Sequence, residues 1–226
     1  MKTRKNGIAK SKVNAYRETF VSHVHILLSM GFARLQQSPL PSLDEPDISG
    51  LLCEQIEDVM DDESSPEWVD DYEVHDDPPV HKPKRKGKHR RRVDIKLKSR
   101  RTRPRLRFCF EAKSLKSNRS VGEYLGTDGL GRFLDGSYSS DQPIGGMLAY
   151  VLTDSCEEWR RKIESRVDRT KHKLGRDGEW SATSICAELR ETYRTVHKRP
   201  KKLSNIAIIH TLLDCTGSRL QSQKQG

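Results

Sequence analysis

No stretch of the 226-residue chain approaches the roughly 20 consecutive apolar residues that a membrane-spanning helix needs. The basic N-terminus also lacks the apolar core and the small-residue cleavage site of a secretory signal. A soluble protein of the cytoplasm with no membrane contact is the expectation. Cysteines are few and unpaired in pattern: Cys53, Cys109, Cys156, Cys186 and Cys215 are odd in number, scattered, and never form C-x-x-C. That argues against a zinc site and a disulfide framework and leaves them as small buried hydrophobes. Apolar residues make up only 33% of the chain and charged residues another 33%. This is polar for a globular protein but not sparse enough for a wholly disordered one, so folded segments must alternate with solvated ones. The length suits one domain with a sizeable core and leaves no room for a second full one.

What the chain has in excess is positive charge. A net charge of +10 suits a polyanionic partner, because lysines and arginines that meet phosphates release condensed counterions. The charge is not evenly spread. Eleven acidic residues lie between Glu57 and Asp77, and fifteen lysines and arginines follow between Lys82 and Arg107. Residues 1 to 12 read as a basic arm. From Val13 to Leu35 the apolar residues recur at helical spacing, giving an amphipathic helix that packs on the domain or on a partner. The organisation is therefore arm and helix over 1–40, a folded domain over 41–215 and a flexible tail over 216–226.

Within the domain, Ser38-Pro-Leu-Pro-Ser42 breaks the chain. Asp44, Glu45, Pro46 and Asp47 then open a helix that runs to Met60, with negative charge and proline in its first turn. Trp68, Val69, Tyr72 and Val74 suggest a short first strand. Val93, Ile95 and Leu97 alternate with Asp94, Lys96 and Lys98; after a turn, Leu106, Phe108, Phe110 and Ala112 alternate with Arg107, Cys109, Glu111 and Lys113. These read as a paired hairpin. Further expectations are a short helix at Leu130–Leu134, a buried strand at Met147–Leu152, helices at 156–167 and 181–196, and a last strand at Ile206–Leu213. The class is α/β, a mixed central sheet flanked by helices.

Side chains alternate across a strand, so Glu111 and Lys113 share one side while Phe108, Phe110 and Ala112 face the core. Asp94 likewise faces away from Val93, Ile95 and Leu97, and antiparallel pairing would bring it beside Glu111 on an open surface. Two carboxylates there would repel without a cation, so a divalent metal is the natural compensation, with Lys113 placed to stabilise hydroxide or a pentacovalent phosphate. The bland reading is an exposed sheet face on which Asp94, Glu111, Lys96 and Lys113 form cross-strand ion pairs. The glycines Gly126, Gly129 and Gly131 match no phosphate-loop spacing and read as turns or close backbone approach.

The pattern of Asp94, sixteen residues, then Glu111-Ala112-Lys113 resembles the PD-(D/E)xK restriction-endonuclease-like superfamily over residues 43 to 152. Val93 stands where the name-giving motif has proline. The resemblance implies an αβββαβ core and a metal-dependent nuclease acting on DNA. It assigns Mg²⁺ or Mn²⁺ to Asp94 and Glu111, and assistance of the attacking water to Lys113. A glutamate from the first helix often joins such sites. At about 100° per residue, Glu45 falls near the stripe of Ile48 and Leu52 and is the candidate third metal ligand, or else a helix cap. Arg132 takes the place of the phosphate-contacting residue on the helix after the acid–x–Lys strand. Lys88, Arg90, Arg91, Arg92 and Lys96 are the further nucleic-acid contacts expected from the basic block, some of whose charge the acidic segment would neutralise. A bacterial restriction or anti-phage defence setting follows from the resemblance alone, and a homodimer or larger complex from the need for two active sites to cut both strands of a duplex. The alternative is a non-catalytic nucleic-acid-binding or scaffold subunit of a larger complex.

Overall fold

Asp44 starts a helix where the sequence places one: in the computed structural model its side chain accepts a hydrogen bond from Asp47 N at 3.1 Å, and Pro46 sits in the first turn. The structure describes residues 3–37, 40–79, 91–101, 105–138, 142–200 and 203–217, with side chains from Asn14 onward. Residues 80–90, which include Lys88 and Arg90, and the tail from 218 lie outside the described residues.

The chain opens with helix α1 (Thr3–Leu35). It begins at Thr3, not at Val13, so the expected basic arm is the first turns of this helix. Lysine, arginine and alanine are good helix formers, and they extend a helix where no apolar periodicity announces it. Phe20, Val24, Leu27, Leu28 and Phe32 of α1 enter one core with Ile48, Leu52 and Ile56 of α2 (Glu45–Asp61). The helix therefore packs on its own domain. A 3-10 turn, Glu67–Asp71, takes Trp68 and Val69, which were expected in a strand. Strand β1 (Tyr72–Asp76) starts only where the acidic turn ends.

Strands β2 (Ile95–Ser99) and β3 (Arg107–Leu115) follow, then short helices α3 (Ser120–Tyr124) and α4 (Gly131–Leu134), β4 (Ile144–Val151), α5 (Cys156–Arg169), β5 (Ser181–Ala182), β6 (Thr192–His197) and β7 (Ile206–Asp214). The seven strands form one mixed sheet in the order β1-β2-β3-β4-β7-β6-β5. β1, β2 and β3 are an antiparallel meander, whereas β3–β4 and β4–β7 are parallel. The helix expected over 181–196 is instead β5, a loop and β6. Ala187, Glu188 and Leu189 favour helix, but Thr192, Tyr193, Thr195 and Val196 suit a pleated surface, and β7 offers them a free ladder.

Both faces of the sheet are covered. Ile95, Leu97, Phe108, Phe110 and Ala112 meet α1 and α2. Cys109, Leu115, Met147 and Ile208 meet the other side with Tyr124, Phe133, Trp159 and Ile163 of the α3–α5 layer. The open surface expected for Glu111 is thus a second, covered face on which Glu111 is only 4% exposed. Val93 also departs from the expected alternation. The chain bends at Asp94 before β2 begins, and Val93 joins the α3–α5 core, not the core of Ile95 and Leu97. Close approach fixes the glycine turn between α3 and α4: a Cβ on Gly129 would lie 2.3 Å from Tyr124 O. Among the described residues no helix is long and apolar enough to cross a membrane. Cys53, Cys109, Cys186 and Cys215 are buried thiols and Cys156 is half-buried; none is in a disulfide.

Candidate active site

Three elements bring the expected acids and lysine together. The hairpin of β2 and β3 pairs Ile95 with Phe110, and the bend before Ile95 turns the Asp94 carboxylate onto the backbone of β3. Asp94 Oδ2 accepts from Ala112 N at 2.6 Å. The bond locks the aspartate between Glu111 and Lys113. Glu45 arrives from the first turn of α2: Oε1 accepts from Lys113 Nζ at 2.8 Å, and Oε2 accepts from Ser114 N at 2.8 Å. Lys113 Nζ also donates to Glu111 Oε1 at 2.9 Å and to Ala112 O at 2.6 Å. The lysine is therefore saturated with acceptors.

The charges are poorly balanced without a further cation. Burial first, and then the Asp94 charge, push Glu111 up to about 7 against the pull of Lys113. Burial also raises Asp94, with the Ala112 N–H and Lys113 opposing it. Burial alone would lower Lys113, but Glu111 and Glu45 outweigh it and hold the ammonium above its ordinary range. Glu111 Oε1 is taken by Lys113, and Oε2 is buried with no partner in good hydrogen-bond geometry, which costs free energy unless something occupies that lone pair; the Tyr138 phenol is close enough to donate to this carboxylate and oppose its upward shift. Tyr138, on the loop after α4, faces the Glu111 carboxylate, and burial and Glu111 together raise its phenol well above the usual range.

Among the described residues no three or more His, Cys, Asp or Glu side chains are gathered into a group that could hold a metal from protein alone. Asp94 and Glu111 are nevertheless the donors a hard divalent cation takes. Mg²⁺ is commonly held by one or two carboxylates, with water and substrate phosphate completing its shell. The Glu111 Oε2 lone pair fits that use. Glu45, expected as a third ligand or a cap, does something different. Asp44 is the cap, and both Glu45 oxygens are committed to Lys113 and the Ser114 N–H.

The expected nucleic-acid contacts are distributed less favourably. Arg91 is paired with Asp135 at 2.8 Å and with Ser137, and Arg92 with Asp77. Lys98, Arg100 and Arg105 gather around Glu73, each at 3.5 Å, and Arg101 pairs with Asp71. The acidic segment does neutralise this part of the basic block. Lys96 stands opposite Cys109 and His75 in the sheet, where burial and Lys98 lower its pKa. Arg132 is paired with Asp128, and its charge reaches Tyr138.

Lys113 and Glu45 instead open onto a cleft of about 1100 Å³ between α3 and α5, whose wall includes Arg119, Arg161, Arg166 and Arg169. These arginines were not foreseen. For Arg161 and Arg169 the pattern that could have found them is the face of α5 turned away from Trp159, Ile163 and Val167, the buried residues of that helix; Arg166 flanks the apolar stripe and Arg119 precedes α3, so no helical pattern marks either. The chain matches no protein-family model, no curated protein and no solved structure.

Proposed function

We propose that the protein is a metal-dependent nuclease of the PD-(D/E)xK type that hydrolyses phosphodiester bonds of DNA. One observation carries the reading: Asp94, Glu111, Lys113 and Glu45 converge from three elements, with Lys113 Nζ within 2.9 Å of two carboxylates and Glu111 Oε2 buried without a partner in good hydrogen-bond geometry. The succession of α2, an antiparallel β1–β2–β3 meander, α3 and a parallel β4 agrees with the αβββαβ core of that superfamily and supports the proposal.

Asp94 and Glu111 would hold the divalent ion, which when bound supplies charge neutralisation and a water acidic enough to attack at neutral pH. Lys113, kept protonated by its acidic neighbours, sets a fixed positive charge beside the oxygen atoms that gain negative charge as the phosphate becomes pentacovalent, and reaches them by exchanging its bond to Ala112 O. Glu45 orients that ammonium, and the Ser114 N–H anchors Glu45 in turn. Asp94 is fixed by the Ala112 N–H, so its free oxygen is presented without a rotamer search. A restriction or anti-phage setting belongs to the resemblance alone.

The test is incubation with plasmid, linear and single-stranded DNA, and RNA, in Mg²⁺ and Mn²⁺, beside Lys113→Ala. Cleavage of DNA that the variant loses is expected. Equal cleavage by Lys113→Ala would overturn the site. Metal-independent DNA binding, unchanged in Asp94→Asn and with no cleavage under any condition, would favour a non-catalytic DNA-binding subunit instead.

A further inference from the structure

The basic block before β2 and the wall of the cleft are chemically alike but differently engaged. In the block, the arginines nearest the site are spent on carboxylates: Arg91 on Asp135, Arg92 on Asp77 and Arg101 on Asp71. In the cleft, Lys113, Arg119, Arg161, Lys162, Arg166 and Arg169 face Glu45, Glu123 and Asp128, six cations against three carboxylates. Lys162 is drawn to Asp154 at 2.8 Å and Arg161 to Glu157 at 3.0 Å, both on exposed surface. Arg119, Arg166 and Arg169 line the cleft, are exposed, and have no carboxylate partner among the described residues; Arg169 Nε donates only to Ser165 O. They are the groups with charge to spare.

Their placement gives that charge a direction. Trp159, Ile163 and Val167 fix α5 against the sheet, which turns Arg161, Ser165, Arg166 and Arg169 outward along the cleft. Arg161 to Arg169 spans two helical turns, about 12 Å at about 1.5 Å per residue. That covers roughly three phosphates at the about 3.4 Å axial spacing of one strand. Ser165 leaves room between the arginine pairs, and Gly122 and Gly126, which carry no side chain, form part of the opposite wall. Lys113 and Glu45 line the same cleft.

We infer that the α3–α5 cleft is the path of one nucleic-acid strand, with Arg119, Arg166 and Arg169 holding phosphates that flank the one presented to Lys113. This rests on the proposed nuclease reading for its orientation. It moves the main phosphate contacts from the block before β2 to a helix that follows the catalytic strand in sequence. Binding can be measured separately from cleavage, so the two readings fail separately.

The experiment is fluorescence anisotropy in EDTA with the full chain and a labelled oligonucleotide, as a single strand and as a duplex, over a salt series. Arg119→Ala and the double variant Arg166→Ala/Arg169→Ala are compared with Arg92→Ala, and thermal melting checks that each is folded. The expected result is an affinity loss of roughly tenfold or more for the cleft variants on at least one probe, with a salt slope shallower by about 1 per phosphate contact removed. Arg92→Ala should stay within about twofold. Arg166→Lys/Arg169→Lys, which keeps the charge, should recover most of the affinity. Unchanged binding by the folded cleft variants, or an equal loss in Arg92→Ala, overturns the inference. If no variant or condition gives cleavage but the cleft variants still lose binding, the strand path stands and only the nuclease reading falls.

Discussion

Two polar clusters are buried in the same face of the sheet, and they are built on opposite principles. Glu111, Met147 and His210 lie in register across β3, β4 and β7, so an apolar methionine separates a charged cluster from a neutral one. In the neutral cluster the hydrogen bonds form a single directed chain. His197 Nδ1 lies 2.9 Å from Leu174 O, which can only accept, so Nδ1 carries the proton and Nε2 accepts from Thr195 Oγ1 at 2.8 Å. Thr195 Oγ1 then accepts from His210 Nε2 at 2.8 Å, and His210 Nδ1 accepts from Tyr124 OH at 3.0 Å. Each of these ring nitrogens is satisfied with no charge present. The charged cluster has two carboxylates with raised pKa and a buried Glu111 Oε2 without a well-aligned partner. One cluster is satisfied within the fold, and the other keeps buried charge only partly relieved, which is the contrast the proposed active site calls for.

The largest expected effect separates the two clusters by activity. Lys113→Met should lower the proposed cleavage rate by roughly 10²–10⁴-fold, and Asp94→Asn by at least as much, because it removes a charge from the proposed metal donors. Thr195→Val should leave the rate per folded molecule unchanged. Single-turnover cleavage of a labelled duplex decides this. A loss in Thr195→Val matching that in Lys113→Met would mean that the clusters are not functionally distinct.

Stability should divide them in the reverse sense. Glu111 rests at about 7 against an ordinary 4.5, so its ionised form costs the metal-free protein up to about 3 kcal/mol above pH 7. Glu111→Gln should therefore stabilise the protein in EDTA, whereas Thr195→Val, which orphans two histidine nitrogens, should cost roughly 2–4 kcal/mol. Urea denaturation gives both signs. A destabilising Glu111→Gln would show that its bond to Lys113 outweighs its burial.

Acid adds a smaller test. Between pH 7 and 4.5 the folded state holds a proton on Glu111 that the unfolded chain does not, so this group stabilises as pH falls. His25, fully buried among Phe108 and Phe110, runs the other way. Burial lowers it from 6.5 to about 4, so the unfolded chain takes its proton first and stability falls through that window. His197 and His210 are lowered too and add to the loss. Glu111 partly masks the histidines. Glu111→Gln should consequently show a steeper fall in stability from about pH 7 to 4.5 than the parent; parallel curves would place the Glu111 pKa near its ordinary value.

How much of this was readable in the sequence depended on range. Asp94, Glu111 and Lys113 were legible because alternation along a strand is a local property, and the Asp44–Asp47 helix start because capping is local too. The covering of the second face was not legible, since α3–α5 come from residues 120–169 and say nothing, by pattern, about which side of β3 they take. The same distance hid Arg119 and Arg166, which only the packing of α3 beside α5 brings to Lys113. Thr192 to Val196 carried a strand pattern, but the helix formers Ala187 to Leu189 ran into it, and only the ladder to β7 decides between them. Glu45 was found for its position on the helix, though its observed partner is the lysine, which angular bookkeeping on one helix does not reveal.

The smallest expected effect lies outside both clusters. The basic block attracted notice as the obvious phosphate contact, yet Arg92 and Asp77 are both more than half exposed and already paired. Exposed ion pairs contribute little to stability and are screened by salt. A phosphate that approaches Arg92 also meets the Asp77 carboxylate beside it, so the local charge on offer is near zero and the net gain per contact is small. Arg92→Ala should therefore change cleavage and binding by no more than about twofold, and Asp77→Asn, which releases the arginine, should strengthen DNA binding slightly at low salt and not at high salt. If Asp77→Asn instead raises affinity strongly and cleavage with it, the acidic segment is a mask over the basic block, and the main strand path shifts back towards β2.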